Sequence, residues 1–286
     1  MDTSYINAIS HYPRFFIGGI VAMLSILAGC ETGVTTPDDI PYVEQIVVSC
    51  LLEPEKPADS LRFSRTLPIT EKYDTSKAII TDLTGTIQSG DSIYPLRYVS
   101  GIRYQAVGLT PKSGKVYRLN VDWHGKHVTA VTRVPFPVSI DTITFFKAPN
   151  PRKTGDNYYR MDVAVRPGVQ EVYGIGYVFT NGAGVPLPQG ELNRAQSVAR
   201  SQDTLADGRA HVISRGDSPL EGPPPFSGSV SLFSFDAPYY DYFLTYAHGD
   251  EPGDRVLANT GEKIRWNVHG DGVGMFIGRA IRQITL

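Results

Sequence analysis

The chain has 286 residues, a formal net charge of −2 and two cysteines. That length leaves room for two ordinary domains with real cores. A near-neutral balance without a basic stripe or an acidic tail argues against a nucleic-acid or polycation partner, and so few cysteines exclude a disulfide framework or a cysteine-based metal site.

Residues 1–29 read as a signal peptide of the lipoprotein type. Arg14 is followed by an apolar stretch, residues 15–28, which is 14 residues long. A bilayer span needs roughly 18–20, so the stretch fits a secretory h-region instead. Leu27-Ala28-Gly29-Cys30 then forms a lipobox. Small side chains at Ala28 and Gly29 let the extended backbone enter a signal-peptidase cleft, with Leu27 completing the recognition. The Cys30 thiol is the expected lipid acceptor, and several acyl chains on one residue anchor stably where a single chain is marginal. Residues 30–41 are polar and proline-containing and read as a tether. The eleven residues after Cys30, Glu31 to Pro41, span on the order of 35 Å when extended. This lipid is the only membrane attachment and the only cofactor-like group expected. Cys50, inside the apolar run Ile46-Val47-Val48-Ser49-Cys50-Leu51-Leu52, is expected to be a buried, inert thiol.

Residues 42–137 predict an all-β, immunoglobulin-like sandwich. Strands are expected at 43–52, 61–67, 84–88, 92–98, 102–107, 116–123 and 127–133. Turns at Ser89-Gly90-Asp91, Pro111-Lys112-Ser113-Gly114 and His124-Gly125-Lys126 give the roughly ten-residue spacing of that architecture. Pro135 and Pro137 then break strand character and mark a boundary.

Residues 138–286 predict a second β-rich domain with one short helix. Strands are expected at 140–146, 158–165 and 172–180, then a long Gly/Pro/Ser-rich loop from 182 to 228. Val230, Leu232, Phe233 and Phe235 restore strand character. Asp236-Ala237-Pro238 reads as a helix start, with Asp236 as N-cap and Pro238 in the first turn. Tyr239, Tyr240, Phe243, Leu244 and Ala247 then follow helical spacing. A strand at 264–268, a glycine-rich bend and a strand from Met275 to Leu286 close the chain.

The order of four segments resembles the outer-membrane lipoproteins grouped as domain-of-unknown-function family 4249. These are the lipobox, tether and Ile46–Pro54 run, the segment from Leu109 to Pro135, the tyrosines of Tyr239-Tyr240-Asp241-Tyr242-Phe243, and the ending Asn267-Val268-His269-Gly270-Asp271-Gly272-Val273-Gly274-Met275-Phe276-Ile277-Gly278. The resemblance implies a cell-envelope lipoprotein of the outer membrane, often encoded beside a TonB-dependent transporter. It supplies no activity and no catalytic residues.

Candidate chemistry is sparse. His124 and His127 flank a turn, and with Asp122 they form the nearest approach to a metal set, although turn-exposed histidines are commoner. His248-Gly249-Asp250 and His269-Gly270-Asp271 repeat a tripeptide that suits turns and would form a site only if the two turns met. The run Asp250-Glu251-Pro252-Gly253-Asp254 lacks EF-hand spacing. Gly270, Gly272, Gly274 and Gly278 do not spell a dinucleotide fingerprint and are read as bulges or close strand packing. No Gly-x-Ser-x-Gly elbow is present. Tyr242 and Tyr246, four apart on the predicted helix, share a face separate from its core positions and are binding candidates, as are His248, His269 and the 182–226 loop.

The reading is therefore a non-enzymatic, lipid-anchored accessory protein that works with a TonB-dependent transporter in nutrient capture. It is placed at the outer membrane, with surface and periplasmic faces both open. One alternative is a structural or adhesive surface protein, which would leave nutrient uptake unchanged when lost. Another is a hydrolase with an inter-domain site, which would need His248 and His269 close together.

Overall fold

A computed structural model describes residues 41–149, 157–180, 195–214, 220, 226–247 and 263–286. The lipobox residues Leu27, Ala28, Gly29 and Cys30, most of the tether, His248 and the acidic run 250–254 lie outside the described residues. The chain divides into two compact units, Met1–Val43 with Pro68–Lys72 and Glu44–Leu67 with Tyr73–Leu286. The second unit holds every strand and helix among the described residues.

The fold is all-β. In its N-terminal part the elements are β1 (Ile46–Leu52), β2 (Leu61–Arg65), α1 (Thr75–Ala78), β3 (Thr84–Ser89), β4 (Ser92–Ser100), β5 (Arg103–Ala106), β6 (Val116–Trp123) and β7 (Lys126–Arg133). Hydrogen-bonded neighbours run β1-β2-β5-β4-β3-β6-β7; β1-β2-β5-β4 and β3-β6-β7 have the strand order of the two sheets of an immunoglobulin-type sandwich, and the β3–β4 hairpin joins them. Period-2 patterning drives it: Tyr117, Leu119, Val121 and Trp123 of β6 are buried, while Arg118 and Asp122 face out. Their buried faces meet Ile46, Val48, Cys50 and Leu52 of β1 and Phe63 of β2 in one core. Each such aliphatic or aromatic side chain contributes about 1.5–3 kcal/mol by leaving water. Tyr104, fully buried, donates its hydroxyl to the Ile80 carbonyl at 2.9 Å, so this buried ring carries no orphaned polar atom. Cys50 is 2 % exposed, and burial pushes its thiol up to about 12.

The β6–β7 hairpin turns on His124 and Gly125, with Trp123 paired to Lys126. Both turn residues have positive φ, +47° and +76°, as a type I′ turn requires. His124 therefore occupies a position fixed by turn geometry.

The C-terminal part contains β8 (Ile140–Pro149), β9 (Asn157–Val165), β10 (Glu171–Thr180), β11 (Ser197–Arg200), β12 (Ala210–Ile213), β13 (Ser227–Asp236), α2 (Pro238–Ala247), β14 (Val268–Gly270) and β15 (Gly272–Thr285). A layer in the order β12-β9-β8 is packed through its apolar residues against β10 and β13 of the layer β11-β10-β13-β15. Ile175 and Phe179 of β10 and Val230 and Leu232 of β13 meet Met161 and Val163 of β9. The opposite faces of β10 and β13 are buried as well, because Val172, Phe233 and Phe235 pack under Tyr239 and Tyr240 of α2.

Three expectations are corrected. The stretch 182–228 is not one loop, since it contains β11 and β12. Each is only four residues long, too short to show a periodic pattern. The glycine-rich segment near the end is mostly strand, with the expected bend confined to Asp271 between β14 and β15, and strand pairing begins at Val268 rather than Ile264. Asp236 is not the N-cap. The helix begins at Pro238, and Asp236 accepts from the Ala237 N–H at 3.0 Å with one oxygen, the other being committed to β7.

β15 joins the two cores. Residues 272–278 pair in parallel with β1 from Ile46↔Gly272 to Leu52↔Gly278. Residues 279–285 pair antiparallel with β13 from Phe235↔Arg279 to Ser229↔Thr285. The glycines allow the approach: a Cβ at Gly272 would meet the Ile46 carbonyl oxygen at 2.6 Å, and one at Gly274 would strike the Val48 carbonyl. They mark close strand packing, as their setting among apolar residues predicts. Just before β14, Asn267 mimics a strand residue with its side chain. It donates to the Phe276 carbonyl at 2.6 Å and accepts from the Phe276 N–H at 2.9 Å. Farther along, Arg279 forms a largely buried ion pair with Glu53 at 2.6 Å.

Candidate functional site

Between β7 and β8 the chain runs Val134-Pro135-Phe136-Pro137-Val138-Ser139. The turn between β9 and β10 lies opposite, and the two enclose a cleft of about 640 Å³. Small-molecule sites commonly measure ~300–1,000 Å³.

Local sequence explains each wall. Pro135 and Pro137 fix their own φ and lack an N–H, so the linker cannot enter a sheet. Phe136 between them is 61 % exposed. Its ring rests on Gly114, where an added Cβ would meet ring carbons at 2.9 Å and where φ is +77°. Only glycine suits both constraints. On the other wall Gln170 turns at φ +54°, and Val169 is 75 % exposed.

The polar groups form two sets. In one, the Gly168 N–H donates to the Tyr173 hydroxyl at 2.6 Å, and that hydroxyl donates to Glu171 Oε2 at 2.8 Å. Burial raises the Glu171 carboxyl above its ordinary range, opposed by the Tyr173 hydroxyl, the Phe136 N–H and the charge of Arg133. Burial also raises the Tyr173 phenol, so its proton stays on the donor side of this bond. In the other set, Asp141 accepts from Arg166 Nε at 3.3 Å and from Arg209 Nε at 3.0 Å. Arg209 reaches Asp207 at 3.7 Å, and Asp207 in turn meets His211 Nε2 at 3.1 Å. His211 Nδ1 lies 2.8 Å from Asp162. A line of alternating charge thus runs from the cleft along β9 and β12. The arrangement can hold a ligand through guanidinium donors and an exposed ring.

The residues singled out by sequence lie elsewhere. Tyr242 and Tyr246 do share a face of α2: their rings stack at 5.0 Å and 11°, and Tyr242 also meets Trp266 at 5.6 Å. They are part of an aromatic row that reaches Phe235 through Tyr239. His269 is an exposed residue of β14 opposite Thr129. His124 and His127 turn to different carboxylates, Asp82 at 2.8 Å and Asp122 at 2.8 Å. His124 also stacks on Trp123 at 4.5 Å. Among the described residues no group of three or more His, Cys, Asp or Glu side chains is placed to hold a metal ion. Of the 182–226 loop, residues 195–214, 220 and 226 are described.

Arg133, Phe136, Arg166 and Glu171 went unnoticed in the sequence. One signal was available: an aromatic flanked by two prolines between cores has no local partner to bury it.

An immunoglobulin-type sandwich continued by a second β-core, with a cleft beside the connecting linker, defines an all-β chain with two cores. The chain belongs to the family described as Domain of unknown function (DUF4249), whose model matches residues 34–283. No curated protein matches the chain.

Proposed function

We propose that this protein is a lipid-anchored accessory protein of the outer membrane that captures a small ligand for a TonB-dependent transporter and performs no chemistry on it. The cleft is the observation that supports ligand capture: it has small-molecule size, paired polar groups and an exposed ring. The anchor read at Cys30 supports the placement, because a short tether would keep the folded part within reach of a partner in the same membrane. Family membership supports the transporter link, which the resemblance implied.

The test is co-purification. The lipidated protein, pulled from outer membranes in mild detergent, is expected to bring a transporter with it, and Cys30→Ala is expected to leave the membrane fraction. Recovery of the protein alone under several mild detergents would remove the transporter role.

A further inference from the structure

The polar atoms of the cleft are unevenly matched. Asp141 is already engaged by two guanidiniums. Glu171 is already engaged by the Tyr173 hydroxyl, with the Phe136 N–H beside it. The donors are less well used. A guanidinium carries five N–H groups. Arg133 donates to no acceptor among the described residues through its side chain, although its charge is felt at Glu171. Arg166 is 84 % exposed and offers Nε alone to Asp141. The cleft therefore holds spare cationic donors, while each of its two carboxylates already meets a donor. A cationic ligand would compete with these arginines and the tyrosine hydroxyl for the carboxylates. An anion meets guanidinium N–H groups still open at Arg133 and Arg166.

The apolar side of the same space is equally specific. Phe136 and Val169 both stand exposed in the lining of the cleft, and Val138 lines it with them. Exposed apolar groups that share a cleft with spare guanidiniums suit a ligand with both characters at adjacent atoms. Arginine binds a carboxylate through two parallel N–H···O bonds.

We propose that the cleft binds a carboxylate joined to an apolar or aromatic group, the chemistry of a peptide C-terminus or of a small aromatic acid. Arg133 takes the carboxylate, Arg166 supports it, and Phe136 and Val169 hold the apolar body. The assignment names the ligand class of the capture role and rests on that reading of the cleft. It does not depend on the transporter, so loss of co-purification and loss of ligand binding are separate outcomes.

The matched pair N-acetyl-phenylalanine and N-acetyl-phenylalaninamide tests it, since they share one apolar body and differ in charge. Equilibrium dialysis uses the full chain in mild detergent, with a detergent-only blank. The acid is expected to bind about tenfold or more tighter than the amide, as one charge-assisted contact implies. Arg133→Gln is expected to erase that difference, and Phe136→Ala to weaken both ligands. Both side chains are exposed, and circular dichroism checks that the variants fold; Arg166→Gln gives a second, milder loss. Acetyl-Gly-Gly-Phe against acetyl-phenylalanine separates a peptide terminus from a small acid, and tighter binding of either than of its amide upholds the assignment. Equal binding of acid and amide, no binding of the acid, or an undiminished preference in Arg133→Gln overturns it.

Discussion

Thr132 and Asp236 link the two cores through one hydroxyl. Thr132 Oγ1 donates to Asp236 Oδ2 at 3.0 Å and accepts from the Gly278 N–H at 2.8 Å. The same carboxylate oxygen accepts from the Arg133 N–H at 2.8 Å. Thr132 is 1 % exposed, so water does not replace a lost partner. Thr132→Val keeps the shape and leaves the Gly278 N–H without an acceptor. We expect a loss of about 1–3 kcal/mol, read by urea denaturation. A variant within error of the parent would mean that this bridge contributes nothing.

Gly278 carries a second constraint. A Cβ there would strike the Arg133 carbonyl and lie 2.7 Å from Val134 Cα. Both are backbone atoms and cannot rotate aside. Gly278→Ala is expected to cost about 1–3 kcal/mol by overpacking and to weaken ligand binding through the shift at Arg133. Gly208→Ala is the comparison: its φ is +73° but its surroundings are open, so about 1 kcal/mol of backbone strain is expected. Thermal denaturation of the two side by side decides whether close packing outweighs backbone strain.

His211 should impose a pH dependence. Burial alone disfavours its charged form, but hydrogen bonds to Asp162 and Asp207 outweigh burial and raise its pKa above the ordinary value. The folded state then holds the proton more tightly than the unfolded chain. That stabilisation is fully present below about pH 6.5, the ordinary histidine value. It is lost as pH rises through the folded value. At the acid end Asp207 is lowered by the Arg209 N–H and by His211, so its contribution disappears only as pH falls through its own depressed value. His211→Gln should cost about 1–2 kcal/mol at pH 6 and much less at pH 9. Parallel stability curves for variant and parent from pH 5 to 9 would contradict this.

Cys50 should be unreactive. Its thiol is buried and its pKa stands at about 12, so almost no thiolate forms at pH 8. Iodoacetamide followed by peptide mapping is expected to leave Cys50 unmodified in the folded protein and to label it fully in denaturant. Rapid labelling of the native protein would show that β1 opens locally.

Much of the fold was legible because alternation is a local signal. Leu119, Val121 and Trp123 announce β6 without knowledge of any neighbour, and His124-Gly125 announces its turn. The helix was visible from the spacing of Tyr239, Phe243 and Leu244. What escaped depended on partners distant in sequence. Val198 and Val212 belong to strands of four residues that exist because β10 and β9 lie beside them. Gly272, Gly274 and Gly278 signal close strand packing, but the strand that presses on them, β1, lies at the far end of the sequence. Asp236 looked like a cap because the β7 backbone that claims it lies 103 residues away. The cleft was the least legible feature, since Gly114, Phe136, Arg166 and Glu171 come from three separate segments and none carries a motif.

The parallel pairing of β1 with β15 also bears on how the molecule is made. Glu53 waits for Arg279, a residue 226 positions later. Among the described strands, the first to leave the ribosome thus has an open edge until the last has been synthesised. Contacts of such long sequence separation form slowly, because the intervening loop must close first. The sandwich cannot seal early, and a chain clipped near its C-terminus should lose the closure of both cores at once.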